Sequence, residues 1–236
     1  MKTFTSLVLG ILLSAFLCGL QNPAHAGYNF VKASNHAIRY PTKSAPVNAW
    51  SCSLWLRCTT TPGTGYPAYF VLFIDKQVYV HCQATKLTFE YNDGANTIQP
   101  FNATTSWTTG VWYHIAVVAD WVGDTVKIYR DGVALLDTAM TSGSPRNVTG
   151  TEIFIGRLNA AAGGTNGDLA EVATWDEVAL SESQIISLSK GLAPNRINPH
   201  PIRYFPLVRN THELTSGATA TLQNTPTVTV HPRIYR

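Results

Sequence analysis

From Gly110 to Leu136 the chain reads GVWYHIAVVADWVGDTVKIYRDGVALL, three apolar runs parted by two polar breaks. Val111 to Ala119 is apolar at nearly every position, which suits a strand buried on both faces. Asp120 to Asp124 interrupts it with a glycine and two carboxylates, a hairpin loop. Thr125 to Arg130 then alternates, with Val126 and Ile128 on one side and Thr125, Lys127 and Tyr129 on the other. Asp131-Gly132 predicts a tight turn, because a primed hairpin needs two residues that tolerate positive φ. Val133 to Leu136 returns as a third strand.

The same alternation recurs outward from this centre. Tyr28 to Arg39 supplies Phe30, Val31, Ala37 and Ile38 as core residues of the first strand or two. Trp50 to Cys58, WSCSLWLRC, puts Trp50, Cys52, Leu54, Leu56 and Cys58 on one face, with Trp55 and Arg57 on the other. Trp55 has two readings, core packing against a second sheet or a sugar-stacking platform. Tyr69 to Ile74 and Gln77 to Gln83 predict a hairpin over Asp75-Lys76. Leu87 to Tyr91 is a strand ended by Asn92-Asp93-Gly94, a strong turn string. Ile98 to Trp107 is weakly patterned and is read as an excursion. Glu152 to Leu158 and Gly167 to Trp175 are strands around a small-residue loop, Asn159 to Asn166, the kind of rim segment where binding resides. Glu182 to Leu188 predicts one short helix within 181–190, with Ser181 as N-cap, Gln184 at the reciprocal position and Gly191 as its stop. Ile202 to Val208 is read as an edge strand, where Pro206 is tolerated, and Leu222 with Val228 to Val230 as another. Residues 193–236 are too few and too polar to hold a core alone. The expected fold is all-β, an antiparallel two-sheet sandwich.

Three blocks carry a resemblance. They are Trp112-Tyr113-His114-Ile115-Ala116 with Ile128-Tyr129-Arg130-Asp131-Gly132, then EIFIGR from Glu152 to Arg157, then GDLAEVATWDEVAL from Gly167 to Leu180 followed by SESQI. In this order they resemble the laminin G-like family, over Tyr28 to Leu192. The resemblance implies the concanavalin A-like jelly roll, and it implies binding of glycans or of a surface protein. It also implies a structural role for Glu171, which matches a family acid, and for His114, at a position where the family carries histidine. Many relatives bind calcium through loop oxygens. Here Asp93, Asp120, Asp124, Asn166 and Asp168 lie in turns, but Ala170 replaces the aspartate that usually precedes the family glutamate. A structural calcium ion therefore stays open, with no ligand set assigned.

One fold hosts many activities, so catalysis must be read from side chains. Glycosidases of this fold aim two carboxylates into one cleft about 5 to 9 Å apart. The only candidate string is Glu171 to Glu177. Glu171 and Glu177 lie about 20 Å apart on an extended strand and Asp176 has the opposite parity. His200, His212 and His231 lack the short spacing of a zinc site, and no Gly-x-Ser-x-Gly elbow occurs. The expectation is a non-enzymatic binding domain that stacks an exposed aromatic on a sugar and bonds its hydroxyls from loops. Trp107, Trp121, Asn92, Asp93, Asn159 and Asn166 are the candidates, because each sits in or beside a loop. The competing expectations are a structural coat or adhesion component that binds other exported proteins and, third, a glycoside hydrolase.

Lys2, an apolar run from Phe4 to Leu20 and Ala24-His25-Ala26 have the layout of a secretory signal peptide. The expected product is a single domain over 27–236, secreted or held at the cell surface or in the periplasm, with its jelly-roll core at 28–192. The 236-residue chain carries a net charge of only +3. That favours neither nucleic acid nor an anionic membrane as a partner, and no later stretch reaches the length of a membrane span. Asn102-Ala103-Thr104 and Asn147-Val148-Thr149 are acceptor sequons. An oxidising compartment permits a disulfide. Cys52 and Cys58 sit about 20 Å apart on one strand, beyond the roughly 7 Å that a bridge allows. Cys82 is the partner left, and Cys58–Cys82 with Cys52 free is the expected pairing. It requires a strand that crosses toward the other sheet, because next-but-one strands of one sheet lie about 10 Å apart.

Overall fold

The computed structural model describes residues 26–41, 48–63, 68–73, 78–92, 98–140, 152–157, 164, 166–208, 212–230 and 234. The strands, in chain order, are β1 Ala26–Phe30, β2 Ala37–Pro41, β3 Ala49–Cys58, β4 Ala68–Phe73, β5 Val78–Gln83, β6 Lys86–Asn92, β7 Ile98–Thr104 and β8 Trp112–Asp120. They continue with β9 Thr125–Arg130, β10 Val133–Ala139, β11 Glu152–Ile155, β12 Gly167–Asp176, β13 Arg203–Phe205, β14 Thr221–Gln223 and β15 Thr227–Val230. Among the described residues one α-helix, α1, spans Glu182–Ser189.

The pairings make two antiparallel layers. The eight-stranded sheet runs β10-β9-β8-β3-β12-β1-β15, with β13 also on β12, and the seven-stranded sheet runs β14-β2-β11-β4-β5-β6-β7. Period-2 alternation turns one side of each strand inward. Trp50, Cys52, Leu54 and Leu56 of β3 meet Val78, Val80, Phe89 and Tyr91 of β5 and β6 in the shared core. Each such side chain contributes about 1.5–3 kcal/mol by leaving water. The central strand β8 is buried on both sides, as its unbroken apolar run predicts. Ile115, Val117 and Ala119 face the other sheet. Ala116 and Val118 face outward into a second core with Ile185 and Leu188 of α1 and Trp175 of β12. The helix begins at a capping box, with the Gln184 carboxamide oxygen accepting the Ser181 N–H at 2.7 Å.

The turn read at Asp131-Gly132 holds, while Asp75-Lys76 and Asp93-Gly94 lie outside the described residues. Asp131 (φ 54°) and Gly132 (φ 81°) join β9 to β10 in the left-handed region. Other readings change. Residues 98–104 form a regular strand, β7, at the sheet's edge. An edge strand needs ladder bonds on one side only, so Pro100 is accommodated while Phe101 and Ala103 fill the core. The crossing that the Cys58–Cys82 pairing requires is present, since β3 pairs with β8 and β12 while β5 lies in the opposite sheet. Cys58 and Cys82 therefore do face one another between layers, and their thiols are hydrogen-bonded. They are not bridged: Cys52, Cys58 and Cys82 are all free and buried thiols, which corrects the expected disulfide. Strand is present in both C-terminal stretches, but β13 ends before Pro206, and Leu222 and Val228–Val230, read as one strand, belong to β14 and β15 in opposite sheets.

At the centre of β12 the pairing with β3 slips by a bulge between Ala170 and Ala173. Glu171, at φ 52°, occupies it. There β12 changes neighbour, from β1 at Gly167–Leu169 to β13 at Val172–Thr174. Among the described residues no helix is long and apolar enough to cross a membrane.

Candidate functional site

The loop-adjacent aromatics do not reach solvent. Trp107 lies in the core, its indole N–H donating to the Gln83 carbonyl at 2.8 Å and its ring edge-on to Tyr113 at 5.5 Å. Trp121 is 7% exposed and stands edge-on to Tyr91. A sugar cannot stack on either, so the ligand-facing reading of both is corrected. Loop position fixes where an indole starts, whereas its large apolar area turns it inward. Asn166 binds the chain to itself: its side-chain carbonyl accepts the Lys32 N–H at 2.8 Å and its backbone carbonyl accepts the Thr59 N–H at 3.1 Å. The Asn92 side chain, Asp93 and Asn159 lie outside the described residues.

The carboxylates of the 171–177 string have structural partners. The Tyr204 hydroxyl donates to buried Glu171. Arg203 pairs with Asp176 at 2.7 Å, and the Glu177 carboxylate accepts the Asn48 N–H at 3.0 Å. Buried Asp168 accepts from Asn29 and from Arg57. Asp120 caps its own turn by accepting the Gly123 N–H at 2.8 Å. No group of three or more His, Cys, Asp or Glu is gathered for a metal among the described residues.

A different surface gathers polar and aromatic side chains. With Ile38, Tyr40, Ile153, Ile155, Val80, Leu87 and Phe89 in the core, alternation turns their neighbours to the outer face of the seven-stranded sheet. These are Arg39 on β2, Glu152 and Phe154 on β11, Tyr79 and His81 on β5, Thr88 and Glu90 on β6, and Asn102 on β7. Register aligns Arg39 with Phe154, Tyr79 with Glu90, and His81 with Thr88 and then Asn102.

Arg39 Nη2 donates to both oxygens of Glu152, and the guanidinium stands 5.2 Å from the centre of the Phe154 ring. The two charged side chains keep 32% and 34% of their surface. They border a cavity of about 320 Å³, lined also by Tyr40, Pro41 and Thr221. Further along the face Tyr79 and His81 both bond to Glu90, His81 through Nε2 at 2.9 Å. Burial alone would raise the Glu90 carboxyl, but these two bonds outweigh it and hold the carboxyl below its ordinary range. The Thr88 hydroxyl donates to the Asn102 side-chain carbonyl at 2.9 Å.

Tyr79, His81, Thr88 and Phe154 are buried within this face, so its open polar groups are chiefly those of Arg39 and Glu152, and its carboxylates form no hydrolytic pair. Glu90 and Glu152 sit on β6 and β11, with β4 and β5 between them. Three strand spacings set them about 14 Å apart, beyond the roughly 5–9.5 Å of glycosidase carboxylates. Sequence reasoning missed Arg39 and Glu152. The parity of Arg39 between Ile38 and Tyr40, and of Glu152 with Phe154, was the available signal.

The family model described as the concanavalin A-like lectin/glucanases superfamily, of laminin G type, matches residues 32–186. No curated protein matches the chain. A Bacteroides ovatus protein, described as a candidate carbohydrate binding protein, superposes with a TM-score of 0.70 at 17% identity. The match covers 90% of this chain and 62% of that one, so this chain spans less than two thirds of its length. A heptameric SAP-like pentraxin from Limulus polyphemus gives a TM-score of 0.58 at 15% identity, covering 91% of this chain and 93% of its own. Domain 4 of AbnA, an extracellular arabinanase of Geobacillus stearothermophilus solved with arabinotriose, gives 0.50 at 19% identity, covering 65% and 72%. Identities this low establish the fold alone.

Proposed function

Because the chain belongs to the concanavalin A-like lectin/glucanase superfamily, we propose that it is a secreted, non-enzymatic carbohydrate-binding protein whose ligand sits in the Arg39–Glu152 cleft. The observation that carries this reading is the cleft itself: an ion pair about one-third exposed, seated on an aromatic ring, at the mouth of a cavity of about 320 Å³. Sites for small polar ligands combine an apolar wall with a few fixed polar groups. Here Glu152 accepts and Arg39 donates to neighbouring hydroxyls of one sugar. Each side chain already orients the other, so little rotamer entropy is lost on binding. The Bacteroides ovatus and arabinanase-domain neighbours, described as carbohydrate binding and as an arabinotriose complex, support the ligand class. The N-terminal apolar run supports export and an extracellular glycan.

A glycan array followed by calorimetry tests it. Glu152→Gln and Arg39→Ala are each expected to weaken binding of the best glycan at least tenfold, and no reducing ends should appear on long incubation. An array without a hit, or variants that bind as tightly as the parent, would remove the proposal.

A further inference from the structure

Trp55, raised by the sequence as a stacking platform, takes no part in that cleft. It lies on the outer face of the eight-stranded sheet. There α1 and the chain following it cover Ala116, Tyr129, Ala173 and Trp175. The other half carries Trp55, Arg57 and Trp112, each partly exposed. Arg57 is opposite Trp112 on β8 and Asp168 on β12, while Trp55 is opposite His114 and Ala170. Both tryptophans are half-buried, so each shows part of its ring to solvent.

The floor beneath them is made of small residues. A Cβ placed on Gly27 would lie 3.4 Å from Cη2 of Trp112 and 3.5 Å from the Ala170 methyl. The Trp112 indole therefore reaches across the sheet to β1, over a surface that larger side chains would fill. Arg57 is fixed against it. Its guanidinium carbon is 5.3 Å from the ring centre, its Nε 2.5 Å from Asp168, and its Nη2 donates to the Thr229 hydroxyl at 3.0 Å. The Asn29 side chain steadies the same carboxylate at 2.7 Å. Arg57 Nη1 keeps its donors free of any partner among the described residues.

We propose that Trp55, Arg57 and Trp112 form a second saccharide-binding surface, which takes the pyranose rings of a neutral, extended polysaccharide chain. The indole faces meet the C–H faces of the sugar, and Arg57 donates to its hydroxyls. Neutrality follows from the closed Arg57–Asp168 pair, which leaves no net charge to attract a uronate. Extension follows from the spacing. Residues diagonal across neighbouring strands lie about 7–8 Å apart, and the patch is an open sheet face with two platforms.

The test uses the full chain carrying Arg39→Ala and Glu152→Gln, so that any binding left belongs to this face and failure of the cleft reading does not affect the readout. Mobility is measured in native gels containing soluble mixed-linkage β-glucan, xyloglucan, galactomannan or polygalacturonate, with tryptophan fluorescence followed in parallel. Retardation by at least one neutral polysaccharide is expected, with a shift in tryptophan emission, and none by polygalacturonate. Trp55→Ala and Trp112→Ala should each raise the dissociation constant at least tenfold while the β circular-dichroism spectrum is kept. Should Trp112→Ala not fold, Trp55→Ala alone decides. No retardation by any neutral polysaccharide, undiminished retardation of a folded Trp55→Ala protein, or retardation by polygalacturonate alone would each overturn the proposal.

Discussion

His114 occupies a fully buried position on the outer side of the eight-stranded sheet, with Nε2 2.9 Å from the Ser53 hydroxyl and its ring edge-on to Trp55 at 5.4 Å. Burial lowers its pKa from 6.5 to about 3. In the window between those values the unfolded chain takes up a proton that the folded chain refuses. Stability from this group is thus complete above the unfolded value and lost as pH falls through the window, at up to about 1.4 kcal/mol per pH unit. The urea midpoint should fall between pH 7 and pH 5, and His114→Gln should flatten that fall; an equal drop in both proteins would contradict it. Glu213 acts in the same direction at lower pH. Burial tends to raise its carboxyl, but bonds from the Ser216 hydroxyl and from the N–H groups of Tyr204, Thr215 and Ser216 outweigh it and lower the carboxyl. Its contribution is present above the ordinary carboxylate range and fades as that range is crossed downward. At this scale the sequence told inside from outside by parity, as for Leu54 and Leu56 against Trp55 and Arg57, yet not which way a loop-end indole would turn. Trp107 and Trp121 close over the core because an alternating pattern has no say beyond the strand's last residue.

Among the elements, α1 is short enough that its start matters. Eight residues are below the length at which a helix holds itself in water, so capping and packing on Trp175 and Val118 sustain it. Ser181→Ala should cost about 1 kcal/mol in thermal or urea unfolding. A loss confined to a few tenths would mean that packing alone fixes the helix. Ser181, Gln184 and Gly191 announce this element in the sequence, as Asp131-Gly132 announces the turn into β10. Edge strands are announced less clearly. β7 carries Pro100 and Asn102, residues that would argue against a central strand, and only its position at the rim makes them acceptable. The bulge at Glu171 is invisible to periodicity, because one inserted residue looks like a slip in an otherwise apolar run.

For the whole molecule, two layers could be inferred from alternation, but which strand neighbours which could not. The pairings of β12 with β3 and of β1 with β12 and β15 span most of the chain. They are selected by matching inner faces, which many strands share. Cys58 and Cys82 show the limit: spacing said only that a bridge needs a strand crossing toward the other sheet, and the structure supplies that crossing without the bridge. Ending the chain after residue 202 removes β13, β14 and β15 and strips a neighbour from β12, β2 and β1. Such a truncation should lower the melting temperature by 10 °C or more or elute as aggregate, since it bares strand edges in both sheets; a monomer with the parent's melting curve would contradict it.

The outermost strands β14 and β15 flank β2 and β1, the earliest strands to be made. A polypeptide extruded stepwise from a ribosome or a translocation pore must hold those first strands waiting, with one side of each unmatched, until residues near 230 emerge. Closure of both layers is therefore a late event in the making of the chain.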